Sequence, residues 1–119
     1  MTLLTRDQIL SADDLLTVDV AVPEWGGTVR VRALTGAERD RLEASLLGKD
    51  GTASAAKILN FRARVCALTM IGEDGERLFG DAQVAELGRK SAAALARVAE
   101  AAQKLSGISD DDVDELVGE

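Results

Sequence analysis

The sequence contains no histidine and no tyrosine. Without histidine the chain lacks the commonest general base near neutral pH, the commonest metal ligand, and every Ser-His or Cys-His nucleophile pair. A single cysteine, Cys66, has no partner for an internal disulfide and rules out a CxxC motif, which suits a reducing cytoplasm. Neither a GxGxxG turn nor a GxxxxGK[ST] loop occurs. One tryptophan and two phenylalanines bring the aromatic fraction to only 3%. Ala and Leu must therefore fill the core, and small side chains each withdraw little area from water, at ~25 cal/mol per Å². Modest stability and a benefit from self-association are expected. No apolar run approaches the ~20 residues that a membrane span needs. Residues 1–6 lack a basic start followed by an apolar stretch, so no signal peptide is expected.

What is present is acidic and unevenly distributed. The net charge is −7 over 119 residues, a length that suits one domain. Residues 1–72 carry nine acidic and nine basic side chains and sum to zero. Residues 108–119 carry six acidic side chains and no basic one. Nucleic-acid affinity needs a basic surface to meet phosphates, so neither nucleic acid nor an anionic membrane is an expected partner.

The hydropathy pattern divides the chain. Residues 1–15 are a lead-in, with Ile9, Leu10 and Leu15 apolar and Ser11, Asp13 and Asp14 marking a turn or a single helical turn. Val18, Val20 and Val22 alternate with Asp19 and Ala21; after Pro23-Glu24-Trp25-Gly26-Gly27, Val29 and Val31 alternate with Arg30 and Arg32. This period of two around a Gly-containing turn predicts a β-hairpin over about 17–33. Keeping the valines on one face sets Val20 opposite Val29 or Val31, and Asp19 opposite Arg30 or Arg32. From Thr35 the period becomes helical. Thr35-Gly36-Ala37-Glu38 is a capping box opening a helix over 35–47. A central helix over 53–71 carries Ile58, Phe61, Val65, Leu68 and Ile71. Glu73–Glu76 is a turn, 81–87 a short helix closed by Gly88, and 91–106 a helix capped by Ser91 with Leu95, Val98, Ala102 and Leu105 as its stripe. The expectation is an α+β fold: one globular domain over 1–107, an N-terminal hairpin with a body of four to five helices, and a short acidic helix or tail over 108–119.

Candidate chemistry is sparse. Cys66 lies among Arg64, Val65, Ala67 and Leu68 and reads as a small buried hydrophobe inside a helix. The carboxylates at 110–115 lack the offsets and glycine of a calcium loop. No catalytic, cofactor or metal residue is assigned, and no cofactor is expected. Three residues are candidates for partner binding. Trp25, beside two glycines, either folds back on the core or meets a partner. Arg30 and Arg32 share a hairpin face that is either solvated charge or a receptor for an acidic segment, such as the 108–119 segment of a neighbouring copy.

Taken in order, the string Val22-Pro23-Glu24-Trp25-Gly26-Gly27-Thr28-Val29-Arg30-Val31-Arg32 followed by Leu34-Thr35-Gly36-Ala37-Glu38-Arg39-Asp40 resembles the tail assembly chaperones of long-tailed bacteriophages and prophages. So do Asp74-Gly75, Leu78-Phe79, Leu87-Gly88, Lys90-Ser91-Ala92-Ala93 and Leu105-Ser106-Gly107-Ile108-Ser109, and the resemblance spans about residues 3–117. It implies a small, mostly helical protein without catalytic residues. Such a protein binds the tape-measure protein and keeps it soluble during tail-tube assembly. It acts in the cytoplasm of the infected host and is not expected in the mature virion. The resemblance also implies a frameshift-extended form that recruits tail-tube protein. A self-associated ring or spiral is expected from the charge distribution. A structural virion component, such as a head–tail connector or tail-completion protein, is the competing expectation.

Overall fold

The computed structural model describes residues 2–46 and 60–107. The expected short acidic helix at 108–119 and residues 53–59 of the helix expected over 53–71, Ile58 among them, lie outside these residues. Within them the fold is α+β: an N-terminal hairpin extended to a three-stranded antiparallel sheet, followed by helices.

A short helix α1, Arg6–Ser11, opens the chain on a capping box: Gln8 N donates to Thr5 Oγ1 at 3.2 Å, and Thr5 N donates to Gln8 Oε1 at 2.8 Å. It buries none of its residues. The hairpin follows as β1, Thr17–Val22, and β2, Gly27–Arg32. Its register pairs Val20 with Val29 and Asp19 with Arg30, one of the two alignments that period-two patterning allows. Val22 and Val31 are fully buried, and Val20 and Val29 are partly buried against the same core. The connection Pro23–Trp25 is a 3₁₀ turn, with Pro23 supplying a preset φ at its start and Gly26 closing it at φ +74. Ala33 N continues the ladder to Leu16 O at 2.9 Å.

Helix α2, Gly36–Leu46, begins at the expected box: Glu38 N donates to Thr35 Oγ1 at 3.1 Å and Thr35 N to Glu38 Oε1 at 2.9 Å. Leu42 and Leu46 anchor it in the core. Helix α3, Phe61–Thr69, buries Phe61, Ala63, Val65, Cys66, Ala67 and Thr69, which makes it the centre of the described body.

Helical periodicity through Ile71 predicts a longer helix than the structure has. Met70 turns to extended backbone (φ −75, ψ 125), and Met70–Ile71 form β3, paired with Val31 and Arg30 of β2. The reversal has a physical cause in the last turn of α3. Its orphan carbonyls are met by guanidinium donors from elsewhere: Arg32 to Leu68 O at 3.0 Å and Arg77 to Ala67 O at 3.0 Å. The chain then turns through Gly75 (φ +82) and returns, with Leu78 N on Met70 O at 3.0 Å.

The helix expected over 81–87 begins as a 3₁₀ turn, Asp81–Gln83, and continues as α4, Val84–Leu87. Gly88 stays right-handed (φ −63, ψ −13), so its small size serves packing rather than a left-handed cap. A Cβ there would meet the Asn60 side-chain amide, which would have to shift. Helix α5, Ala92–Leu105, is capped by Ser91, whose hydroxyl accepts from Ala94 N, and ends before Gly107 at φ +75. Its face of Ala94, Leu95, Val98, Ala99 and Ala102 is buried against both the hairpin and α3. Six of the nineteen buried apolar side chains described are alanine, and Phe61 is the one aromatic among them. Small contact residues let helices approach closely, in line with the Ala- and Leu-filled core expected from composition.

Candidate functional site

The three sequence candidates occupy three environments. Trp25 ends the 3₁₀ turn and packs, partly buried, against the core. Glu24, beside it, is ion-paired to Arg97 of α5, which holds this turn onto the helix. That pairing holds the Glu24 carboxyl below its usual range. Arg30 lies on the outer face of the hairpin, where its Nε and a terminal nitrogen grip Asp19 Oδ1 and Oδ2 at 2.8 and 3.2 Å. The hydrogen bonds lower the Asp19 pKa and raise that of Arg30.

Arg32 is turned into the body. Its side chain is 16% exposed and donates to Ala33 O at 2.8 Å, to Glu38 Oε1 and Oε2 at 3.1 Å each, and to Leu68 O at 3.0 Å. Burial raises the Glu38 carboxyl, but hydrogen bonds from Arg32 and Thr35 outweigh it and leave the group below its usual range. Arg32 thus joins β2, the start of α2 and the end of α3. The charge of each hairpin arginine is met by a carboxylate of the same chain.

Two other surface features stand out. The first is apolar. Leu3, Leu4, Ile9, Leu10 and Leu16 are 57–80% exposed, and Val18 beside them is 39% exposed. Leu3, Leu4, Ile9 and Leu10 belong to the lead-in of the sequence, and Leu16 follows it directly; their apolar character was legible there, but their lack of cover was not. Exposed apolar side chains of this size, where they gather into a patch, mark interaction sites. The second feature is a groove of about 320 Å³ between α2 and α3. Its lining combines the apolar Leu42, Leu68 and Val84 with Arg41, Arg64 and Arg77 and the carboxylates of Glu38 and Asp81. Arg77 is paired to Asp81 at 3.0 Å, whereas the Arg64 guanidinium reaches the Ser45 hydroxyl at 3.3 Å.

Cys66 is fully buried, donates to Leu95 O at 3.5 Å, and has its thiol pushed up by burial to about 12. A thiolate nucleophile is suppressed in such a setting. Among the described residues no three Cys, Asp or Glu side chains converge as a metal site would require.

Fold and surface together define a small α+β module with exposed apolar side chains in its N-terminal segment and a groove lined by arginines, carboxylates and apolar residues. The particular likeness is to a solved structure, the tail assembly chaperone of bacteriophage HK97, with a TM-score of 0.62. The match covers 87% of this chain and 95% of that one at 18% sequence identity, and it establishes a shared fold. No protein-family model and no curated protein matches the sequence.

Proposed function

We propose that this chain is a phage tail assembly chaperone that binds the tape-measure protein and keeps it soluble until tube subunits surround it. The observation that carries the reading is the overlap of fold with the HK97 chaperone across nearly the whole of both chains. The ordered sequence motifs that resemble the same class support it independently.

The physical case follows from the exposed apolar side chains of the N-terminal segment. A tape measure is a long, largely helical chain whose apolar stripes aggregate unless covered. Leu3, Leu4, Ile9, Leu10 and Leu16 offer a shallow apolar counterpart, because α1 buries none of its own residues. Each contact is small and therefore weak. Copies that also touch one another bind the same client at raised effective concentration, so weak contacts suffice. Weakness also lets tube subunits displace every copy later. In this reading the protein self-associates as a ring or spiral, works in the cytoplasm of the infected host, and does not remain in the virion. A frameshift-extended form would join at the acidic end and recruit tube protein.

The test is to express the tape-measure protein alone and together with this chain. A higher soluble yield and a complex that survives gel filtration are expected. Equal yield with no complex overturns the reading, and recovery of the chain from purified virions favours a head–tail connector or tail-completion protein instead.

A further inference from the structure

We infer that the groove between α2 and α3 is the docking site for the acidic C-terminal segment, residues 108–119, of the same chain. This goes beyond the chaperone reading and does not depend on it.

Charge is the first argument. Arg30, Arg32 and Arg77, three of the body's prominent arginines, are each matched by a carboxylate within the described residues: Asp19, Glu38 and Asp81. Arg41 of α2 and Arg64 of α3, which line the groove, have no carboxylate partner among them. The C-terminal segment carries six acidic side chains and no basic one. It is the most concentrated negative charge in the chain. Arg6, Arg62, Arg89, Lys90 and Lys104 also lack a carboxylate partner among the described residues, and of these seven cations only Arg41 and Arg64 line the groove.

Shape and chemistry agree with the charge. The apolar residues lining the groove are Leu42, Leu68 and Val84. In the segment, Val113, Leu116 and Val117 recur at helical spacing between acidic residues. That pattern would match apolar side chains to Leu42, Leu68 and Val84 and carboxylates to Arg41 and Arg64.

Reach favours the chain's own segment over that of a neighbour. The end of α5 is fixed beside the start of α2, because Leu34 N donates to Ser106 Oγ at 2.8 Å. Gly107, at φ +75, then redirects the chain. From Gly36 to Ser45 along α2 is about 13 Å at ~1.5 Å per residue. The segment's twelve residues span about 18 Å even if fully helical. A short tether holds its end at a millimolar effective concentration, which a second copy does not match in dilute solution.

The experiment uses the full-length chain with Gly118→Cys carrying a nitroxide; buried Cys66 stays unlabelled. Amide signals of residues 41–45 and 64–68 are expected to lose intensity severalfold at low salt, unchanged on tenfold dilution. The loss should vanish in about 1 M salt, where the Debye length is about 3 Å. It should also vanish in an Arg41→Glu/Arg64→Glu variant. Asp111→Asn/Asp112→Asn weakens the contact from the segment's side without touching the body, and so reports even if the arginine variant folds poorly. Three results overturn the inference. These are no selective loss at the groove, a loss that survives both sets of substitutions, or a loss that arises when spin-labelled chains are mixed with isotope-labelled, spin-free ones. The last would assign the groove to the segment of another copy.

Discussion

Replacing Arg32 by methionine tests the internal role of this arginine most directly. The substitution keeps the apolar stem and removes the guanidinium. Lost with it are donors to Ala33 O and Leu68 O and both contacts to the Glu38 carboxylate. Removing one partner of a buried ion pair costs about 3–5 kcal/mol. Here the side chain is 16% exposed and Glu38 keeps its bond from Thr35 N, so water and the capping box soften the loss. The lower end of that range, about 3 kcal/mol, is expected. With a urea m-value of about 1.5 kcal/mol/M the unfolding midpoint falls by about 2 M. Arg32→Met/Glu38→Gln should lose less than the two single changes added together, because it leaves no unpaired carboxylate. Arg30→Met is the control: its pair with Asp19 is about half exposed, and its midpoint should barely move. Equal, small shifts for Arg30→Met and Arg32→Met would refute the reasoning and return Arg32 to the solvent-facing charge that its position in the strand suggests.

Other expectations follow from the same structure. Thr35→Ala removes the Glu38 N–H acceptor and should lower stability by about 0.5–2 kcal/mol in denaturant melts. Asp19, Glu24 and Glu38 all have carboxyls held below their ordinary values in the folded state. Their contribution is therefore present above the unfolded carboxylate range near ~4 and lost as the pH falls through the folded values. Thermal midpoints should drop on acidification below about pH 4, and Glu38→Gln should flatten that dependence. Cys66, with its thiol at about 12, should resist an aromatic disulfide reagent in the native protein and react only on unfolding; prompt native reaction would contradict its burial. Ile9→Ser/Leu10→Ser should leave the urea midpoint unchanged, since both side chains are exposed, while reducing recovery of soluble tape-measure protein.

Much of this fold is legible in the sequence where the signal is local. The hairpin follows from alternating valines, and the need to keep them on one face narrows its register to two alignments, of which the structure has the one pairing Val20 with Val29. The box at Thr35 and Glu38 is written within four residues, and α5 shows its buried stripe at the right spacing. What escapes is what depends on distant partners. Met70 and Ile71 continue a helical stripe, and nothing local says that they pair with β2 instead. Arg32 looks equivalent to Arg30, two positions earlier on the same strand face. Its inward role depends on Leu68 O, 36 positions away in sequence. The lead-in leucines are visibly apolar, but only the packed body reveals that it leaves them uncovered.

The sheet order leaves β1 at an edge, and among the described residues nothing pairs with its outer side. Its sequence, Thr-Val-Asp-Val-Ala-Val, is six residues long with no proline and a single charge. Such segments template unwanted strand addition, both between folded copies and in chains still being made. Asp19 is the lone charge in that edge, and its bond to Arg30 fixes it at mid-strand on the sheet's outer face. Besides joining the two strands, the carboxylate therefore acts as a gatekeeper. An exposed edge benefits from any feature that discourages further strands, and in this strand Asp19 is the one charge that interrupts the apolar and neutral run.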